Sequence, residues 1–97
     1  MTHYVAIVEE EDGKAVGVWF PDLPGCFSAG DTLDEAMLNA REAIALYADA
    51  LREDGPPMPR ARTLTELKAD ADAAADIETY LIALIPFGPA ALRPAAE

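Results

Sequence analysis

Cys26-Phe27-Ser28-Ala29-Gly30-Asp31-Thr32-Leu33-Asp34-Glu35-Ala36 is the stretch that decides the fold, because the spacing of apolar side chains changes inside it from two to 3.6. Cys26 to Ala29 reads as a short strand that Gly30 closes. Thr32 then opens a helix. Its hydroxyl can accept from a backbone amide of the first turn, while Glu35 three positions on reaches back to the amide of Thr32 itself. Beyond the cap, Leu33, Ala36, Met37, Ala40, Ile44, Tyr47, Ala48 and Leu51 fall on one stripe, and Asp34, Arg41, Glu42, Asp49, Arg52 and Glu53 lie away from it. Gly55 ends the helix and Pro56-Pro57 prevent its continuing, so a long amphipathic helix is expected over 32–54.

Toward the N-terminus, Tyr4 to Val8 is apolar on both faces of the pleat, which predicts a strand covered on both sides. A small domain seldom covers both faces itself, so another chain is one way to cover the second. Asp12-Gly13 joins this strand to a second, Ala15 to Phe20, as a hairpin, since glycine tolerates the positive φ that such a turn needs. Pro21-Asp22-Leu23-Pro24-Gly25 breaks the chain before the third strand. Toward the C-terminus, Pro56 to Arg62 is a stiff connector. Thr63 and Glu66 repeat the capping box and open a second, shorter helix, and the Ala/Asp stretch 70–76 suggests another helical turn. Thr79 to Ile85 reads as a fourth strand, stopped by Pro86, Gly88 and Pro89.

The expected architecture is α+β: an antiparallel three-stranded meander, a long helix, a short helix and a returning fourth strand, in two layers. One domain over 1–89 is followed by a tail at 90–97. The chain has 97 residues, which leaves no room for a cofactor fold beside a substrate domain. Its formal net charge of −11 repels phosphate backbones, so direct nucleic-acid binding is not expected. The same charge suits a basic protein partner, and it also serves plain solubility. One cysteine forms no internal disulfide, the N-terminus lacks a signal-peptide pattern, and no apolar run is long enough to span a bilayer. A cytoplasmic protein is expected.

Phe20-Pro21-Asp22-Leu23-Pro24-Gly25-Cys26-Phe27-Ser28-Ala29-Gly30-Asp31-Thr32-Leu33-Asp34-Glu35-Ala36 resembles the signature of the HicB family of antitoxins, and the preceding strand and hairpin, Asn39 to Ala43 and the proline-rich segment fit the same family. The resemblance implies a partial RNase H-like fold. It also implies a partner, a small basic ribonuclease toxin of HicA type, whose active surface the antitoxin covers. Many members of the family carry a C-terminal DNA-binding segment. No basic strand or helix pair follows the fourth strand in the sequence given, so three readings stay open: this member lacks operator binding, another protein supplies it, or the sequence is a piece of a longer chain.

Trp19, Asp22, Pro24 and Phe27 are the candidate partner-binding residues, and Pro21, Gly25, Gly30, Thr32 and Glu35 carry the structural signature. Each partner candidate has a plainer alternative: turn chemistry for Asp22, and core packing for Trp19 and Phe27. Cys26 reads as a buried thiol rather than a nucleophile, and His3 as a surface residue. The acids at 9–12 sit at a hairpin tip, and Asp31 and Asp34 at a helix start, where solvation and the helix dipole account for them without a metal. No cofactor and no catalytic residue are expected. Three functions follow: an antitoxin that is not an enzyme, a stand-alone module that self-assembles into a homodimer or larger homo-oligomer, and a residual metal-dependent nuclease. A neighbouring gene for a small basic protein separates the first from the second, and cleavage of an RNA–DNA hybrid revives the third.

Overall fold

Residues 2–88 are described by a computed structural model. The chain runs β1 (Thr2–Glu9), β2 (Val16–Trp19), β3 (Phe27–Gly30), α1 (Leu33–Asp54), α2 (Leu64–Lys68), α3 (Ala71–Thr79) and β4 (Leu81–Phe87). The strands form one antiparallel sheet in the order β3-β2-β1-β4. This is the expected α+β arrangement, with β4 returning beside β1. The β1–β2 hairpin turns at Gly13, whose φ is +78°, and the Lys14 amide donates to the Glu11 carbonyl at 3.1 Å.

Side chains opposite each other across a ladder share a face, so the register separates the sheet into two surfaces. On one, Tyr4, Ala6, Val8, Val16 and Val18 lie under Ala36, Ala40 and Ile44 of α1, with Phe20, Leu23 and Cys26 completing the core. Ile44 and Leu23 are fully buried, a state that contributes about 1.5–3 kcal/mol for each such side chain. Alanines at 36 and 40 let the helix come close.

The opposite face of β1 is covered from within the chain. Val5 packs with Leu67 of α2 and Ala73 of α3, backed by Leu64, Ile77 and Ile82. Over β1 and β4 the sheet therefore has a helical layer on each side, where the sequence suggested two layers and a second chain. The added layer depends on α3, which is nine residues long rather than one turn. Asp70 caps it by accepting from the Asp72 amide at 2.9 Å, and its alanines supply helix propensity.

Two further details differ from expectation. The Glu35 carboxylate accepts from the Asp31 amide at 3.0 Å, one residue before the cap, while Glu35 itself donates its amide to Thr32 Oγ1 at 3.1 Å. At Thr63 and Glu66 the full reciprocal box is present. β4 also continues through Pro86, which pairs with His3. An edge strand tolerates the missing N–H, because one side of it needs no ladder partner. The expected domain boundary at 89 and the tail at 90–97 lie outside the described residues. Among the described residues no helix is long and apolar enough to cross a membrane.

Candidate partner interface

The Pro21–Gly25 loop is held at three points. Leu23 is fully buried in the core. The Pro24 carbonyl accepts from Tyr47 Oη of α1 at 3.0 Å. Asp22, whose side chain is only 6% exposed, accepts from the Arg62 amide at 2.7 Å and from Arg62 Nε at 2.6 Å. Gly25 turns the chain with φ +83°, and the Cys26 amide closes the turn on the Leu23 carbonyl at 3.0 Å. Arg62 extends the contact to Asp70 at 2.9 Å, so one guanidinium joins this loop, the connector and the cap of α3. Tyr4 Oη donates to the Pro59 carbonyl and ties the same connector to β1.

These contacts set the local electrostatics. The Arg62 hydrogen bond, then the Asp72 amide, hold the Asp70 carboxyl below its ordinary range. Arg60, then the Thr63 amide, pull Glu66 down to about 2. Burial, and after it the charge of Asp22, pushes the Tyr4 phenol up, and burial pushes up the Cys26 thiol. An inward, raised-pKa thiol is a poor nucleophile. Among the described residues no three His, Cys, Asp or Glu side chains cluster closely enough to hold a metal ion.

The open surface lies on the other side of the sheet. α2 and α3 cover only its β1–β4 half. On the β2–β3 half, Trp19 and Phe27 are directly paired, as are Gly17 and Ala29, and the register places all four on the side away from α1. Phe27 is 71% exposed. A Cβ built on Gly17 meets nothing within 4 Å. Trp19 is half-buried because Tyr80, at the end of α3, meets it edge-on at 5.2 Å between ring centroids. Glu9 stands beside Gly17 in the register, and Glu10, Glu11 and Asp12 follow it into the exposed hairpin. The result is a shallow apolar floor with aromatic walls and an acidic border. Such a surface suits a partner that brings both apolar groups and positive charge.

The sequence-derived candidates therefore separate. Phe27 and Trp19 sit together on the open floor. Pro24 is exposed on the loop, and Asp22 is turned inward with both oxygens engaged by Arg62. Of the signature residues, Gly30 lies under α1, Thr32 and Glu35 cap that helix, and Pro21 and Gly25 shape the loop. Arg62, Tyr47 and Tyr80 were missed. Their partners Asp22, Pro24 and Trp19 lie tens of residues away in sequence, and only the arginine between a proline-rich connector and a capping threonine gives a local hint.

Comparison with known proteins places this geometry. A family model described as "HicB_like antitoxin of bacterial toxin-antitoxin system" matches residues 4–97. An uncharacterized 14.9 kDa protein in the rep-hol intergenic region of Haemophilus phage HP1 is 46% identical over 66 residues, 68% of this chain and 48% of that protein. The chain thus spans about half the length of that relative. The crystal structure of the Burkholderia pseudomallei antitoxin HicB superposes with a TM-score of 0.74 at 33% identity, covering 96% of this chain and 68% of the other. A chain from a structure of the HicA3 and HicB3 toxin-antitoxin complex superposes with a TM-score of 0.72 at 25% identity, covering 91% of this chain and all of its own length, 100%.

Proposed function

Given that the chain belongs to the HicB-like antitoxin family of bacterial toxin–antitoxin systems, we propose that it binds a small basic HicA-type ribonuclease and neutralises it by covering its active surface. The observation that carries this reading is the uncovered half of the sheet, where Phe27 and Trp19 stand over the vacant position at Gly17 beside Glu9. On this reading Phe27 and Trp19 form the apolar centre, Pro24 contributes from the loop, and Asp22 acts through Arg62 by fixing that loop. The acidic hairpin draws in the basic toxin. The chain itself carries out no catalysis, needs no cofactor, works in the cytoplasm and does not bind nucleic acid directly.

The likeness to a chain of a solved toxin–antitoxin complex supports a toxin of this type. The test is to purify the chain with the small basic protein of the neighbouring gene and follow RNA cleavage. Cleavage is expected to stop at a stoichiometric ratio. Phe27→Ala is expected to raise the dissociation constant about 10- to 100-fold, as for a central aromatic anchor. The association rate is expected to fall as salt is raised, because the steering charges are exposed. A toxin that still cuts RNA at saturating antitoxin would end the proposal, whereas salt-independent association would remove only the electrostatic part.

A further inference from the structure

On the face of the sheet away from α1, residues opposite one another fall into rows. Ile7, Trp19 and Phe27 make one row, and Glu9, Gly17 and Ala29 the next. Gly17 therefore leaves a gap in its row, with Glu9 on one side and Ala29 on the other, each about 5 Å away. Phe27 lies diagonally at about 7–8 Å, within reach for an aromatic ring, and Trp19 is two residues along the same strand. Ala29 is exposed and Trp19 is only half-buried, so the walls of the gap are open as well as its floor. The gap is one side chain wide, with a methyl group and two aromatic rings around it and a single carboxylate at its rim.

Glu9 decides what fits there. Among the described residues no ion pair includes it: Lys14 is engaged by Glu11 at 2.9 Å, Arg52 by Asp49, Arg60 by Glu66, and Arg62 by Asp22 and Asp70. A protein that settles on Phe27 and Ala29 strips water from the carboxylate beside them. Covering a carboxylate without a counter-charge is strongly unfavourable, so the covering surface has to bring a cation to Glu9. Arginine suits the gap better than lysine. Its stem lies along apolar wall, its planar head stacks on an aromatic ring, and its fork meets a carboxylate through two parallel N–H donors. A lysine head is a compact, strongly hydrated charge that offers neither stack nor fork. We propose that the gap at Gly17 is an arginine slot, in which one arginine of the partner lies over Gly17 against Trp19 and Phe27, with its guanidinium on Glu9. The slot rests on the toxin reading of this surface and narrows it to one recognised side chain.

Binding kinetics with the small basic protein of the neighbouring gene test the slot. Glu9 and Glu10 are both exposed, so Glu9→Gln and Glu10→Gln remove the same charge from the surface, one in the row and one beyond it. Glu9→Gln is expected to raise the dissociation constant about 10- to 100-fold, mainly through faster dissociation. Glu10→Gln is expected to change it by less than about threefold, through slower association. Each arginine of the partner is then replaced by methionine in turn. One of these changes is expected to cost about as much as Glu9→Gln and to add little when the two are combined, a coupling of at least about tenfold. Lysine at that position is expected to recover only part of the loss. A Glu9→Gln chain that binds as Glu10→Gln does, arginine losses that all add independently to that of Glu9→Gln, or full recovery by lysine overturns the slot and leaves the toxin reading standing. A wild-type chain that does not bind the basic protein overturns both.

Discussion

A methyl group added at Gly30 would lie 2.5 Å from the Ala36 amide nitrogen, whereas one added at Gly17 would meet nothing within 4 Å. The two strand glycines therefore predict opposite outcomes. Gly30→Ala forces β3 and α1 apart and is expected to lower unfolding stability by about 1–3 kcal/mol in urea titration. Gly17→Thr removes a flexible residue from a strand and is expected to leave stability unchanged or raise it by up to about 1 kcal/mol. It also fills the floor between Trp19 and Phe27, so toxin binding should weaken while the fold holds. Intact toxin binding in Gly17→Thr would move the docking surface elsewhere. The sequence marks Gly30 only as the end of a strand, and the close approach of α1 that demands a glycine there is not legible in it. The inward turn of Asp22 is not legible either, because the arginine that engages it is 40 residues away.

Elements differ in how plainly they are written. The stripe and cap of α1 predict its bounds to within a residue, since apolar periodicity and a Gly-Pro-Pro stop agree. Neither signal marks α3. Alanine and aspartate dominate there, and the helix is secured by the Asp70 cap, by Arg62 and by the small contact of Ala73 with Val5 and Leu67. The Asp70 cap of α3 and the Glu66 box that opens α2 are both acid-sensitive. Glu66 is lowered from an ordinary value of 4.5 to about 2, and Asp70 is lowered too. A carboxyl depressed in the folded state contributes stability above its unfolded pKa, and the contribution is lost as the pH falls toward the folded value. Thermal melting is therefore expected to show a loss of stability between about pH 4.5 and pH 2. Glu66→Gln should have a lower melting temperature at pH 7 and a shallower decline over that window. An unchanged acid profile in this variant would mean that the Arg60–Glu66 pair adds nothing.

At the level of the whole molecule, acid and apolar surface are arranged rather than spread. The sequence discloses the amount of charge and the apolar pattern of each strand, which is enough for the α+β class. It does not disclose which half of the sheet is left bare. Alternation places Phe27 and Ile7 on the same side, yet Phe27 is 71% exposed and Ile7 is fully buried. The difference arises because α2 and α3 reach across β1 and β4 and end at Tyr80, short of β3. No periodicity in residues 27–29 carries that information.

The edge-on contact of Trp19 with Tyr80 has an optical consequence. The chain has one tryptophan, and it lies half-buried at the border of the bare floor. Its indole emission therefore samples water from one side only. A protein settling on Phe27 would expel that water, and the emission should move to shorter wavelength without any label. Where the incoming toxin contains no tryptophan, the fluorescence of this single ring would report the encounter directly.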